Sequence, residues 1–160
     1  MKQLNSEAVW LFFISFIFKV FFRAILFLFI FVYFLDENIL ISFLNSLFII
    51  VPIIIALCLF WAKLTYNYYR YELTDLGFRK ELGVIYKKYV TIPYDRIQNV
   101  DINRGILARI LGLSDLNIQT AGMSGSIGFE GRLPGLSQKD AEQLRDELIL
   151  RASKANNRGL

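Results

Sequence analysis

Residues 66–93 read YNYYRYELTDLGFRKELGVIYKKYVTIP, and their alternation decides the fold. Over 66–74, Tyr69, Tyr71 and Leu73 alternate with Tyr68, Arg70 and Glu72. A period of two sends successive side chains to opposite faces of a strand. Asp75-Leu76-Gly77 predicts a tight reversal. On the returning strand Phe78, Leu82, Val84 and Tyr86 share one face, and Arg79, Glu81 and Lys87 the other. Further strands are expected at 90–93, 97–103, 116–120 and 127–133, with Pro93 tolerated at a strand end. The pattern predicts an antiparallel sheet with one wet face.

Two helical stretches interrupt or close this sheet. Ile106, Leu107, Ile110 and Leu111 recur at helical spacing, and Gly112 sits where a left-handed residue ends a short helix. Ser137 and Asp140 form a capping pattern, after which Ala141, Leu144, Leu148 and Ala152 line one face of a terminal amphipathic helix. Strands followed by one covering helix make an α+β domain.

Upstream the composition is different. Between Val9 and Ala62 the chain holds four charged residues, Lys19, Arg23, Asp36 and Glu37, whereas 63–160 holds 26. The uncharged run 38–62 is long enough to cross a hydrocarbon core of ~30 Å at ~1.5 Å per residue. Lys19 and Arg23, four apart, complicate the first span, since each costs about 2.5–3.5 kcal/mol at a helix centre. Set at the cytoplasmic boundary they snorkel, leaving an embedded or interfacial prelude at 8–18. The sharper alternative is a polar partner facing them within the membrane. The expected spans are about 20–36 and 39–62, joined by the acidic turn Asp36-Glu37-Asn38. The basic flanks put both termini in the cytoplasm of a multi-pass cell-membrane protein. A signal peptide is not expected, for want of a basic leader and a small-residue cleavage site.

Composition also excludes chemistry. The chain has no histidine and a single cysteine, Cys58, inside the second apolar run. The commonest general base, metal ligand and nucleophile activator is therefore missing. No cofactor, no metal and no enzymatic activity are expected. The 15 basic and 11 acidic residues of 63–160 are too evenly balanced to argue for nucleic acid, yet suit an anionic membrane surface.

Several stretches together resemble a known family. Tyr71-Glu72-Leu73-Thr74 with Gly83, then Ile92-Pro93-Tyr94-Asp95-Arg96-Ile97-Gln98, are similar to bacterial pleckstrin-homology-like (PH-like) domains of the YdbS type. So are 105–112 with Arg109, the run Leu116-x-Ile118-x-Thr120-Ala121-Gly122, Leu133-Pro134-Gly135-Leu136, and Ala141-Glu142-x-Leu144-Arg145. The resemblance covers about 68–150. It implies a PH-like barrel or sandwich closed by the terminal helix, on small membrane proteins that often work beside a larger relative with several copies of the domain. The whole chain then reads as a two-helix transmembrane hairpin (1–65), a PH-like domain (66–153) and a polar tail (154–160).

One surface stands out as a candidate site. If the first strand leaves the membrane near residue 66 and the second returns, Lys87 and Lys88 come back to the level of Lys63, among Tyr66, Tyr68, Tyr86 and Tyr89. Lys63, Lys87, Lys88 and Arg70 are the candidate lipid-binding residues. Asp95, Arg96 and Gln98 are expected in structural roles, Arg109 as a surface or capping charge, and 122–128 as a mobile hairpin loop without the P-loop lysine. The favoured function is a membrane-anchored scaffold that recruits protein partners, and the alternative is an anionic-lipid-docking module.

Overall fold

The computed structural model describes residues 1–32, 37–120 and 131–157. A two-residue strand, β1 (Lys2–Gln3), precedes two long helices, α1 (Ala8–Val32) and α2 (Glu37–Asn67). Then come β2 (Arg70–Leu73), β3 (Gly77–Leu82) and β4 (Lys88–Pro93), a 3-10 turn at Tyr94–Arg96, and β5 (Ile97–Asn103). The short helix α3 (Ile106–Ile110), β6 (Leu113–Thr120), β7 (Gly131–Ser137) and α4 (Gln138–Asn157) complete the chain. All pairings are antiparallel, in two sheets ordered β1-β2-β3-β4 and β5-β6-β7.

The sheets and α4 share one core. Phe78, Leu113, Leu116, Leu133, Leu136 and Leu148 are fully buried, and Ala141, Leu144 and Ala152 complete the expected stripe of α4. The cap is formed as the sequence predicts, with the Asp140 amide donating to Ser137 Oγ at 3.1 Å. At the other end of α4 the Arg151 guanidinium donates to the Thr74 carbonyl and to Tyr94 Oη, both at 3.3 Å, tying the helix to the β2–β3 turn.

The topology holds a feature the sequence reading does not contain. Lys2 pairs with Tyr71 and Gln3 with Arg70, so β1 is an edge strand of the first sheet although 66 residues separate Gln3 from Arg70. The two apolar helices are thus an insertion in the β1–β2 connection. Leu4 and Ala8 belong to the same core cluster, and the Phe12 ring stacks on Tyr69 at 6.4 Å. The PH-like domain therefore does not begin at 66, and the first turns of α1 are part of it.

Other boundaries move for local reasons. Helix α2 continues through Asn67, so its strand starts at Arg70 instead of 66. Helix α1 passes Lys19 and Arg23 unbroken, so the prelude 8–18 is the first part of one helix. Glu37 and Asn38 open α2, while Asp36 lies outside the described residues. Strand β3 ends at Leu82 because Gly83 turns the chain at φ +107, and this leaves Tyr86 88% exposed instead of on a strand face. Strand β7 (Gly131–Ser137) runs past the expected end at 133, while residues 127–130 of that expected strand and the loop at 122–128 lie outside the described residues. Gly112 is left-handed as expected, but α3 buries only Ala108 and turns Ile106 and Ile110 outward.

Candidate membrane-facing site

The site grows from the junction of α2 with the first sheet. Both long helices carry stretches apolar enough to cross a bilayer, at Ala8–Phe27 and Asn45–Asn67 among the described residues. Cys58 and Ala62, four apart on α2, are buried in the chain, as expected where small residues let helices approach closely. Strand β2 leaves the end of α2, reverses after Thr74, and β3 returns with Glu81 opposite Arg70. The connection 83–87 then projects past Arg70 toward the last turn of α2, and Lys87 Nζ lies 5.9 Å from the centre of the Tyr68 ring.

This hairpin tip is apolar and basic at once. Ile85 is 73% exposed, Lys87 and Lys88 follow it, and Tyr89 and Tyr68 are also exposed. Gly83 makes the turn possible, since a Cβ there would stand 1.9 Å from the Tyr86 carbonyl oxygen. On the outer face Glu81 lies in register between Arg70 and Tyr89, and it accepts an ion pair from Lys87 at 3.5 Å. Arg79 sits 5.7 Å from the Tyr89 ring and 3.8 Å from Glu72.

The sheet thus brings Arg70 and Lys87 together around one carboxylate, with Lys88 at the foot of β4. Lys63 is placed separately, exposed on α2 one turn before its end. Asp95 and Arg96 lie in the 3-10 turn, and Arg109 is exposed on α3. Among the described residues no group of three His, Cys, Asp or Glu side chains is placed to hold a metal.

Two residues escaped the sequence reading. Ile85 carried a signal, an apolar residue beside the turn-forming Gly83 and ahead of two lysines. Lys80 carried another, since the alternation puts it with Phe78 and Leu82 on the inner face. It is 5% exposed, and its ammonium donates to the Arg132 carbonyl at 2.8 Å. Tyr69 Oη donates to the same oxygen at 2.9 Å, and burial pushes the Tyr69 phenol well above its ordinary value.

Among the described residues, seven antiparallel strands in two sheets, closed by a C-terminal helix and carried on two apolar helices, define a PH-like membrane protein. The chain matches the family model described as Bacterial PH domain over residues 13–152, and it belongs to that family. The matched region begins inside α1 and so takes in most of the apolar helices and β2 to β7, but not β1. The chain is also similar to the UPF0699 transmembrane protein YdbT of Bacillus subtilis (strain 168), 28% identical over 124 residues. The alignment covers 76% of this chain but only 24% of that protein, so the chain spans a small part of its relative's length. No solved structure matches the chain.

Proposed function

We propose that the chain is a non-catalytic, membrane-anchored PH-like binding module whose hairpin tip docks on anionic lipid at the cytoplasmic face. The observation that carries this reading is the position of Ile85, Tyr86, Lys87 and Lys88, exposed beside the last turn of α2 at the end of a candidate membrane span. An apolar tip flanked by basic residues combines burial in the interface with attraction to anionic headgroups, at about 1 kcal/mol per basic residue. Arg70 and Lys87 set against Glu81 leave an excess of positive charge. Lys63, nearer the headgroups on α2, adds to it. The basic flanks of the apolar helices support placing both termini in the cytoplasm.

The test is depth. Tyr86→Trp is made in a full chain with Trp10 and Trp61 changed to Phe, and its emission is quenched by brominated lipid. Vesicles containing phosphatidylglycerol are expected to give stronger quenching than phosphatidylcholine alone, and charge reversal at Lys87 and Lys88 to abolish the difference. Equal quenching in both lipids sinks the reading.

Recruitment of a protein partner is the second reading, supported by α3. Its Ile106 and Ile110, four apart and so on one helix face, are 79% and 74% exposed. Exposed apolar patches mark interaction sites more often than chance placement does. Affinity purification in mild detergent, comparing the native chain with Ile106→Asp, tests it. A stoichiometric partner retained equally by both chains argues against this surface.

A further inference from the structure

Lys19 and Arg23 sit on a helix that cannot slide. Ala8, the first residue of α1, is fully buried against β7, and Phe12, one turn on, stacks on Tyr69. From Phe12 to Lys19 the helix rises roughly 10 Å, and to Arg23 roughly 16 Å. With Phe12 at the outer edge of a headgroup layer ~5–7 Å thick, Lys19 enters the hydrocarbon by a few ångströms and Arg23 by about 10 Å.

Helical side chains lean toward the N-terminus, which here is the domain side. Lys19 does so, with Nζ 5.7 Å from the centre of the Phe16 ring one turn back, and it reaches the headgroups. Arg23, with about 7 Å of side chain, falls short. Its charge stays at membrane depth, where such groups pair.

These cations border a groove. Phe16, Lys19, Val20 and Arg23 follow the spacing i, i+3, i+4, i+7 and form one stripe of α1. Phe16 and Val20 line a cavity of about 570 Å³ between the helices, with Ile54, Leu57, Cys58 and Trp61 on the opposite side. We infer that this stripe and groove receive a membrane helix of another protein, one carrying an Asp or Glu two to three turns inside the domain-side boundary.

Charge and shape both select that occupant. A second copy of this chain offers no carboxylate there, because α1 has none and the acidic residue of α2 is Glu37 at its far end. A phospholipid whose phosphate sat between Lys19 and Arg23 would run its tails deeper, away from the groove, which on α1 lies between the levels of Phe16 and Val20. A helix along the membrane normal fills the groove and sets an acidic side chain level with the cations.

The experiment uses the full chain in phosphatidylcholine nanodiscs with synthetic leucine-rich spanning helices bearing Asp, Asn or Leu at the corresponding depth. With Trp10 changed to Phe, energy transfer from Trp61 to a dansyl group on the helix reports binding beside the groove. The Asp helix is expected to bind at least tenfold tighter than the other two. Arg23→Leu, which makes α1 more apolar and keeps it inserted, is expected to remove that preference, and Arg23→Lys to retain most of it. Equal binding of the three helices overturns the inference. So does Arg23-dependent retention of phosphatidylglycerol without any preference for the Asp helix.

Discussion

Ala8 and Gly135 meet so closely that a Cβ built on Gly135 would stand 2.5 Å from that of Ala8. Beside them the Asn5 amide donates to the Gly135 carbonyl at 3.1 Å. This is where the membrane helices are fastened to the second sheet. Gly135 also has φ +71, a conformation that costs other residues of order 1–3 kcal/mol. Gly135→Ala is expected to lose at least about 2 kcal/mol, strain and collision together. Adding Ala8→Gly should recover only the collision, and thermal unfolding in detergent measures both.

Tyr69 and Lys80 share one acceptor, so their effects will not add. Losing either donor leaves the Arg132 carbonyl with the other. Tyr69→Phe is expected to cost about 1 kcal/mol. Combined with Lys80→Met it removes both side-chain donors from that carbonyl, and the double variant should be less stable than the summed singles predict by at least ~0.5 kcal/mol. A denaturant-based double-mutant cycle checks the coupling.

Alkaline conditions should loosen the domain for a related reason. Burial raises the phenol of Tyr69, and burial followed by the nearby Asp140 carboxylate raises that of Tyr71. Each folded state holds its proton to higher pH than the unfolded chain, whose tyrosines titrate near ~10. The stabilisation is complete below that value and is lost as pH climbs above it toward the folded value. The melting temperature is expected to be flat on this account to about pH 10 and then to fall. Tyr69→Phe should flatten the fall.

Cutting at residue 66 should yield a poorer domain than excising the helices, although both lose Ala8 and Phe12. A fragment of 66–157 lacks β1 and the buried Leu4, whose loss alone is worth about 2–5 kcal/mol. Replacing residues 8–67 with a short Gly-Ser linker keeps both, because Gln3 and Arg70 are direct neighbours in the sheet. Urea unfolding of the two proteins should show the linked form more stable by that order, and equal stability would remove β1 and Leu4 from the core in any useful sense.

Much of this architecture was written in periodicity. Strand β5 and the stripe of α4 are legible because their inner faces are apolar at fixed spacing, as in Val100, Ala141, Leu144 and Leu148. Strand β1 was not, because Lys2-Gln3 is too short for any period and is defined only by its partner. The break expected near Lys19 came from charge, yet hydrogen bonding within a helix is indifferent to one lysine on its surface. Of the candidate site, the return of Lys87 to the end of α2 followed from hairpin geometry. The exposure of Ile85 and Tyr86 needed the position of the turn, which Gly83 sets.

The pairing of β1 with β2 also imposes an order on biosynthesis. Lys2 and Gln3 leave the ribosome before either apolar helix, but their partners Arg70 and Tyr71 follow only after both have been made. The first residues must wait, unpaired, on the side of the membrane where the rest of the sheet will appear. An insertion error that carried them across would leave β2 with a bare edge and Leu4 without a core. Assembly of the sheet therefore requires both ends of the helix pair to lie on one side of any bilayer they enter.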